Sequence, residues 1–108
     1  MISAKDVALL LRGCADTSRR LRVISRQGIF DFSAYCSVRE ANEAGVTLAV
    51  GEDPLNLISL DLRGFAFDFT DAPPDDDKLG VPGRIESGVV CVRADRFIWF
   101  FVLRSDDA

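Results

Sequence analysis

Histidine is absent from these 108 residues. Without an imidazole there is no Ser-His or Cys-His nucleophile pair and no His-ligated zinc. Any proton transfer falls to carboxylates, Lys, Tyr, Cys or a bound cofactor. Cysteine is sparse: Cys14, Cys36 and Cys91 are odd in number and far apart. No CxxC occurs, which excludes a zinc knuckle and a thioredoxin-type redox pair. All three sit in apolar-patterned positions and read as buried structural thiols. The N-terminus does not read as a signal peptide, and an odd cysteine count without one fits a reducing cytoplasm.

Long hydrophobic runs are also lacking. The longest, "FIWFFVL" at 97–103, has the length of a strand, far short of the roughly 20 residues that span a bilayer. "GVPG" and "GED" do not match a phosphate loop, no serine stands in a nucleophile elbow, and no repeat or heptad is visible.

Charge is plentiful but uneven. The net charge of −4 divides into +4 over residues 1–30 (Lys5, Arg12, Arg19, Arg20, Arg22 and Arg26 against Asp6 and Asp16) and −8 over the remainder. An isoelectric point near 4.7 argues against binding a phosphate backbone, so neither nucleic acid nor membrane is an expected partner. The apolar fraction of 48% excludes global disorder and supplies one hydrophobic core. Residues 1–108 therefore read as a single domain.

The pattern begins with a helix. Ser3 and Asp6 resemble a capping box, Val7, Leu10, Leu11 and Cys14 recur at helical spacing, and Gly13 reads as a stop, which predicts a helix over about residues 4–12. Strand patterns follow. "RRLRVIS" places Leu21 and Val23 on one face, with Arg20, Arg22 and Arg26 on the polar one. In "IFDFSAYCSV", Phe30, Phe32, Ala34, Cys36 and Val38 alternate with Asp31, Ser33, Tyr35 and Ser37. "REANEAG" reads as a helical turn or a hairpin loop, and "VTLAV" resumes the strand pattern before the turn "GEDP".

"ISLDLRGFAFDF" changes parity. Ile58, Leu60 and Leu62 are at even positions, Phe65, Phe67 and Phe69 at odd ones. A hairpin turn at Arg63-Gly64 or a glycine bulge there returns all six to one face. In the C-terminal hairpin, Val89 to Val92 and Phe97 to Leu103 are apolar on both faces. The second face therefore needs cover from a closing barrel or another subunit.

The acidic span "TDAPPDDDKLGVPG" holds Asp71, Asp75, Asp76 and Asp77. It lacks EF-hand spacing and reads as a solvated loop, so no metal is expected. Asp31, Asp61 and Asp68 are candidates for paired-carboxylate chemistry, weighed against a polar face laced by Arg22, Arg63 and Arg93.

The expected fold is α+β: an N-terminal helix packed on a bent antiparallel sheet of five to six strands, a roll or half-barrel. The expected core is Val7, Leu10, Leu11, Leu21, Val23, Phe30, Phe32, Leu48, Val50, Ile58, Leu60, Leu62, Phe65, Phe67, Phe69, Val90, Val92, Trp99 and Phe101. The expected function is a small non-catalytic binding or interaction protein, without cofactor, self-associating as a homodimer through the C-terminal hairpin at Val89, Cys91, Ile98, Phe100 and Val102. A small-molecule binder is the alternative, with an apolar pocket between helix and sheet lined by Tyr35, Trp99 and Phe101 and an anion anchor at Arg22 or Arg93. A carboxylate-dependent enzyme is the third reading.

Overall fold

The structure is a computed structural model and describes residues 2–28, 31–70 and 85–104. Phe30 and the acidic span at 71–84 lie outside the described residues. Helix α1 (Ala4–Asp16) is followed by β1 (Arg20–Arg26), β2 (Asp31–Asn42), β3 (Gly45–Val50), β4 (Leu57–Asp61), β5 (Ala66–Phe69), β6 (Ile85–Arg93) and β7 (Arg96–Leu103). The strands form one antiparallel sheet of order β4-β3-β2-β1-β7-β6-β5. The α+β architecture is as expected, with seven strands among the described residues where five to six are predicted.

Helix α1 starts where its capping box directs. The Asp6 N–H donates to Ser3 Oγ at 3.1 Å and the Ser3 N–H to Asp6 Oδ2 at 3.2 Å. It runs a turn past the predicted stop. Gly13 lies on the exposed side, where the helix tolerates it at a cost of about 1 kcal/mol against alanine. The chain leaves the helix at Ser18, which takes a left-handed φ of 55°. Its N–H donates to Ala15 O and that of Arg19 to Cys14 O, the pairing of a Schellman cap. Val7, Ala8, Leu11 and Cys14 form the buried stripe. They sit mainly on β2, which Arg12 also reaches by donating from Nε to Ala41 O at 2.7 Å.

The sheet has to curl around this helix. Four residues separate β4 from β5, so Asp61 and Ala66 are at most about 19 Å apart along the chain. The outer strands of a flat seven-stranded sheet would stand about 29 Å apart. Counting alternating directions across the sheet, β4 and β5 run the same way. Six steps of strand twist accumulate roughly 120–150°, which turns the two edges toward one another. A β-turn then suffices to join them: the Phe65 N–H donates to Leu62 O at 3.3 Å, and Gly64 takes φ 83°.

This turn resolves the parity change in 58–69, although not as a hairpin. β5 pairs with β6 (Phe67 opposite Cys91) and β4 with β3 (Leu60 opposite Val46). Leu60, Leu62, Phe65 and Phe67 do share one core with the helix. Phe69, expected there too, ends the edge strand 63% exposed. "REANEAG" is neither a helical turn nor a long loop. β2 continues to Asn42 across a bulge between Val38 and Glu40, and Asn42 Oδ1 then accepts from the N–H groups of Ala44 and Gly45 to close the turn.

The C-terminal hairpin reverses the expected faces. Val89, Cys91, Ile98, Phe100 and Val102 are buried in the helix-side core, at 3% exposure or less. No partner can reach them in the folded chain, which corrects their assignment as interface residues. Phe101 is buried in a second cluster with Ile24 and Leu103, to which Trp99 packs half-buried. Val90 and Val92 are likewise half-buried and by register share this opposite, convex face. Period-2 patterning carries no phase in a hairpin that is apolar on both sides. Its phase is set by pairing with β1, where Val23 meets Phe100 and Ile24 meets Trp99. No described helix is long and apolar enough to cross a membrane.

Candidate functional site

The residues that register brings together on the convex face come from β6, β7, β1 and β2. Across these strands Val90, Trp99, Ile24 and Ser33 form one row, and Gly88, Phe101, Arg22 and Tyr35 the next. A third row holds Val92, Phe97, Arg26 and Asp31. The rings of Phe97 and Trp99 stack with centroids 5.6 Å apart and planes at 18°. The Arg22 guanidinium lies 4.8 Å from the Tyr35 ring centroid and donates from Nη2 to Ser33 Oγ at 2.7 Å. This is a cation–π arrangement with the guanidinium held in place from one side.

Gly88 belongs to the same construction. A Cβ on it would meet Thr70 O at 2.5 Å and the Phe101 ring at 2.8 Å, so the glycine gives room for Phe101 to lie flat on the sheet. Arg20, Arg22 and Arg26 alternate with Leu21, Val23 and Ser25, which face inward. The convex side of β1 thus carries three arginines around Ile24.

Four of the five residues expected to line a pocket therefore do meet: Tyr35, Trp99, Phe101 and Arg22. They meet on the face away from the helix and so cannot line a pocket between helix and sheet, the place the sequence reading gave them. Arg93 is not with them. It reaches the 62–65 turn, where its Nη1 donates to Arg63 O at 3.5 Å. Phe97, Ile24 and Arg26 complete the surface; Arg26 was expected on the polar face of β1, whereas Phe97 and Ile24 were not singled out from sequence. The signal was present in the alternation of β1, where Ile24 stands between Arg22 and Arg26.

No family model, no curated protein and no solved structure matches the chain.

The three candidate carboxylates do not converge. Asp31 begins β2 and accepts from the N–H groups of Gln27 and Gly28, closing the β1–β2 turn. Asp61 is level with Asn42 at the far end of β2, on the order of 30 Å away along a strand rising 3.3 Å per residue. Its carboxylate is held by Arg63, which donates from Nε and Nη2 at 3.0 Å. Those bonds draw the Asp61 pKa down to about 2, so it is an ionised structural group rather than an acid catalyst. Asp68 is on β5, where its Oδ1 accepts from the Phe69 N–H at 2.9 Å.

The thiols are as inert as their patterning implies. Burial raises the pKa of Cys36 to about 11 and of Cys91 to about 12, and raises that of Cys14 as well. A thiol held neutral is neither a nucleophile nor a metal ligand at neutral pH.

Proposed function

We propose that this chain is a non-catalytic interaction protein that engages a partner protein through the convex face of β6, β7, β1 and β2. The observation that carries this reading is the composition of that face: Phe97, Trp99 and Tyr35 around Ile24, with Arg22, Arg26 and Arg20 beside them. Tryptophan, tyrosine and arginine dominate the binding energy of protein interfaces, because each offers a large rigid contact area together with a polar or charged tip. Concentrating arginines here, in a chain of net charge −4, suits a partner whose own surface is acidic and apolar. A small ligand is a poorer fit, since Phe101 and Ile24 are fully buried and form the floor of a broad surface.

The test is affinity capture with the wild-type chain, Trp99→Ala and Arg26→Glu as baits. Each captured protein is then purified and its binding measured directly at rising salt. The reading expects one acidic partner whose affinity falls at least tenfold for both variants and weakens with salt. A partner that binds both variants as tightly as wild type would overturn it.

A further inference from the structure

The two edges of the sheet are not alike. On β5, Ile2 forms an antiparallel bridge with Phe67, its N–H donating to Phe67 O at 3.3 Å. On β4, no strand lies beyond β3's partner side among the described residues. The hydrogen-bonding phase of β4 follows from the bonds that flank it. The Val50 N–H donates to Asn56 O at 2.9 Å and the Leu62 N–H to Ala44 O at 2.8 Å. Alternation along an antiparallel ladder then turns the backbone groups of Ile58 and Leu60 toward β3, and those of Leu57, Ser59 and Asp61 away from the sheet. All three residues are exposed, Leu57 at 48%, and neighbouring Leu55 at 86% is more so. Exposed edges are commonly protected by lysine, proline or a bulge. Within β4 the one charge is Asp61.

We infer that β4 is a self-association strand: two copies of the chain pair β4 with β4, antiparallel, about a two-fold axis through Ser59. The outward N–H and C=O groups call for an extended backbone, and the strand suits its own copy. An axis through Ser59 overlays Leu57 to Asp61 along the whole strand. It sets Ile58 against Leu60 of the other copy on the concave side and Asp61 against Leu57 on the convex side. Moving the axis by one residue shortens the overlap. Moving it by two sets Asp61 against Asp53 or against its own copy, a like-charge contact. The pairing is isologous, so each β4 edge is used up by the other copy and association closes at two chains, while Ile2 occupies the β5 edge at Phe67. The contact is small. It buries less than the roughly 800 Å² per partner of a standard interface, so the dimer dissociates in the micromolar range or above.

Light scattering coupled to size-exclusion chromatography, from low micromolar to near-millimolar protein, tests this. Wild type should move from 11.9 kDa toward twice that mass, while Ser59→Lys, which places two ammonium groups face to face, stays at 11.9 kDa throughout. Leu57→Asp should behave likewise, with far-UV circular dichroism confirming that both variants are folded. Trp99→Ala should dimerise as wild type does, which separates this inference from the convex-face reading. Ser59→Cys reports the axis. Facing Cα atoms in such a pair stand about 5.5 Å apart, within disulfide reach, and the native thiols are buried, so mild oxidation should yield a covalent dimer. A wild type that remains monomeric up to the highest concentration overturns the inference, as does a dimer that Ser59→Lys leaves intact. A dimer that Ser59→Cys fails to cross-link overturns the Ser59 axis.

Discussion

Phe100→Ala and Phe97→Ala, three residues apart on β7, should differ sharply in cost. Phe100 is fully buried between the helix and the sheet. Truncating it removes the transfer free energy of a phenyl ring and leaves a cavity in a core that the curled sheet cannot easily collapse. That combination costs about 3–5 kcal/mol, a large part of the roughly 5–15 kcal/mol that holds a domain of this kind together. Phe97 is on the convex face, half-exposed and stacked on Trp99. Its loss removes mainly that ring contact, worth about 1 kcal/mol. Urea unfolding measures both, in a Ser59→Lys background so that association does not contribute. Trp99 is the single tryptophan and reports by fluorescence, with circular dichroism as the second probe because Phe97 touches the fluorophore. Equal costs, or a larger cost for Phe97, would refute the phase assigned to β7 and with it the convex surface.

Three further outcomes are expected. Gly88→Ala should destabilise by about 1–3 kcal/mol through overpacking against Thr70 O and the Phe101 ring, measured by the same unfolding curves; a neutral result would mean that neither lies against Gly88. A thiol reagent at mildly alkaline pH should leave Cys14, Cys36 and Cys91 unmodified in the folded chain and titrate all three in urea; a rapidly modified native thiol would contradict their burial. Asp61 has a folded pKa depressed to about 2. Its contribution to stability is therefore complete above the ordinary carboxylate pKa near 4 and is lost as pH falls toward 2. Asp61→Asn should flatten the acid limb of stability against pH over that window, and an unchanged limb would mean that the Arg63 contact contributes nothing.

Much of the fold is legible in the sequence where one side of an element is polar. The stripe of Val7, Leu11 and Cys14 announces the helix, and the clean alternation of Phe32, Ala34, Cys36 and Val38 with Ser33, Tyr35 and Ser37 sets the phase of β2. The parity change at Arg63-Gly64 is legible as a turn. That its two strands lie on opposite edges of the sheet is not, because the information resides in the pairing of β7 with β1. The hairpin at 85–103 is the converse case. Both faces are apolar, so only tertiary register decides that Ile98 goes inward and Trp99 outward, and a one-residue error in phase exchanges core for surface. The candidate site is legible by residue type and misplaced by face: Arg22, Tyr35, Trp99 and Phe101 do come together, outside rather than inside. The open edge at β4 left no mark beyond two leucines, Leu55 and Leu57, where a loop and a strand margin would ordinarily be polar.

The pairing of β1 with β7 also bears on how fast the chain folds. The bond from Arg19 to Leu103 joins residues 84 apart, and the β1–β7 pairs run from Leu21 with Val102 to Arg26 with Phe97, all of them distant in sequence. The helix and the β1–β4 meander need only local closure. The centre of the sheet forms only when the C-terminal hairpin arrives, so folding should occupy the millisecond-to-second range typical of non-local β topologies. Until then, β1 is itself an edge, with unpaired backbone and Val23 and Ile24 uncovered. Arg20, Arg22 and Arg26 then carry positive charge along that temporary edge. Two such half-folded chains would repel one another there, and the same arginines that dress the finished surface would keep the unfinished one from aggregating.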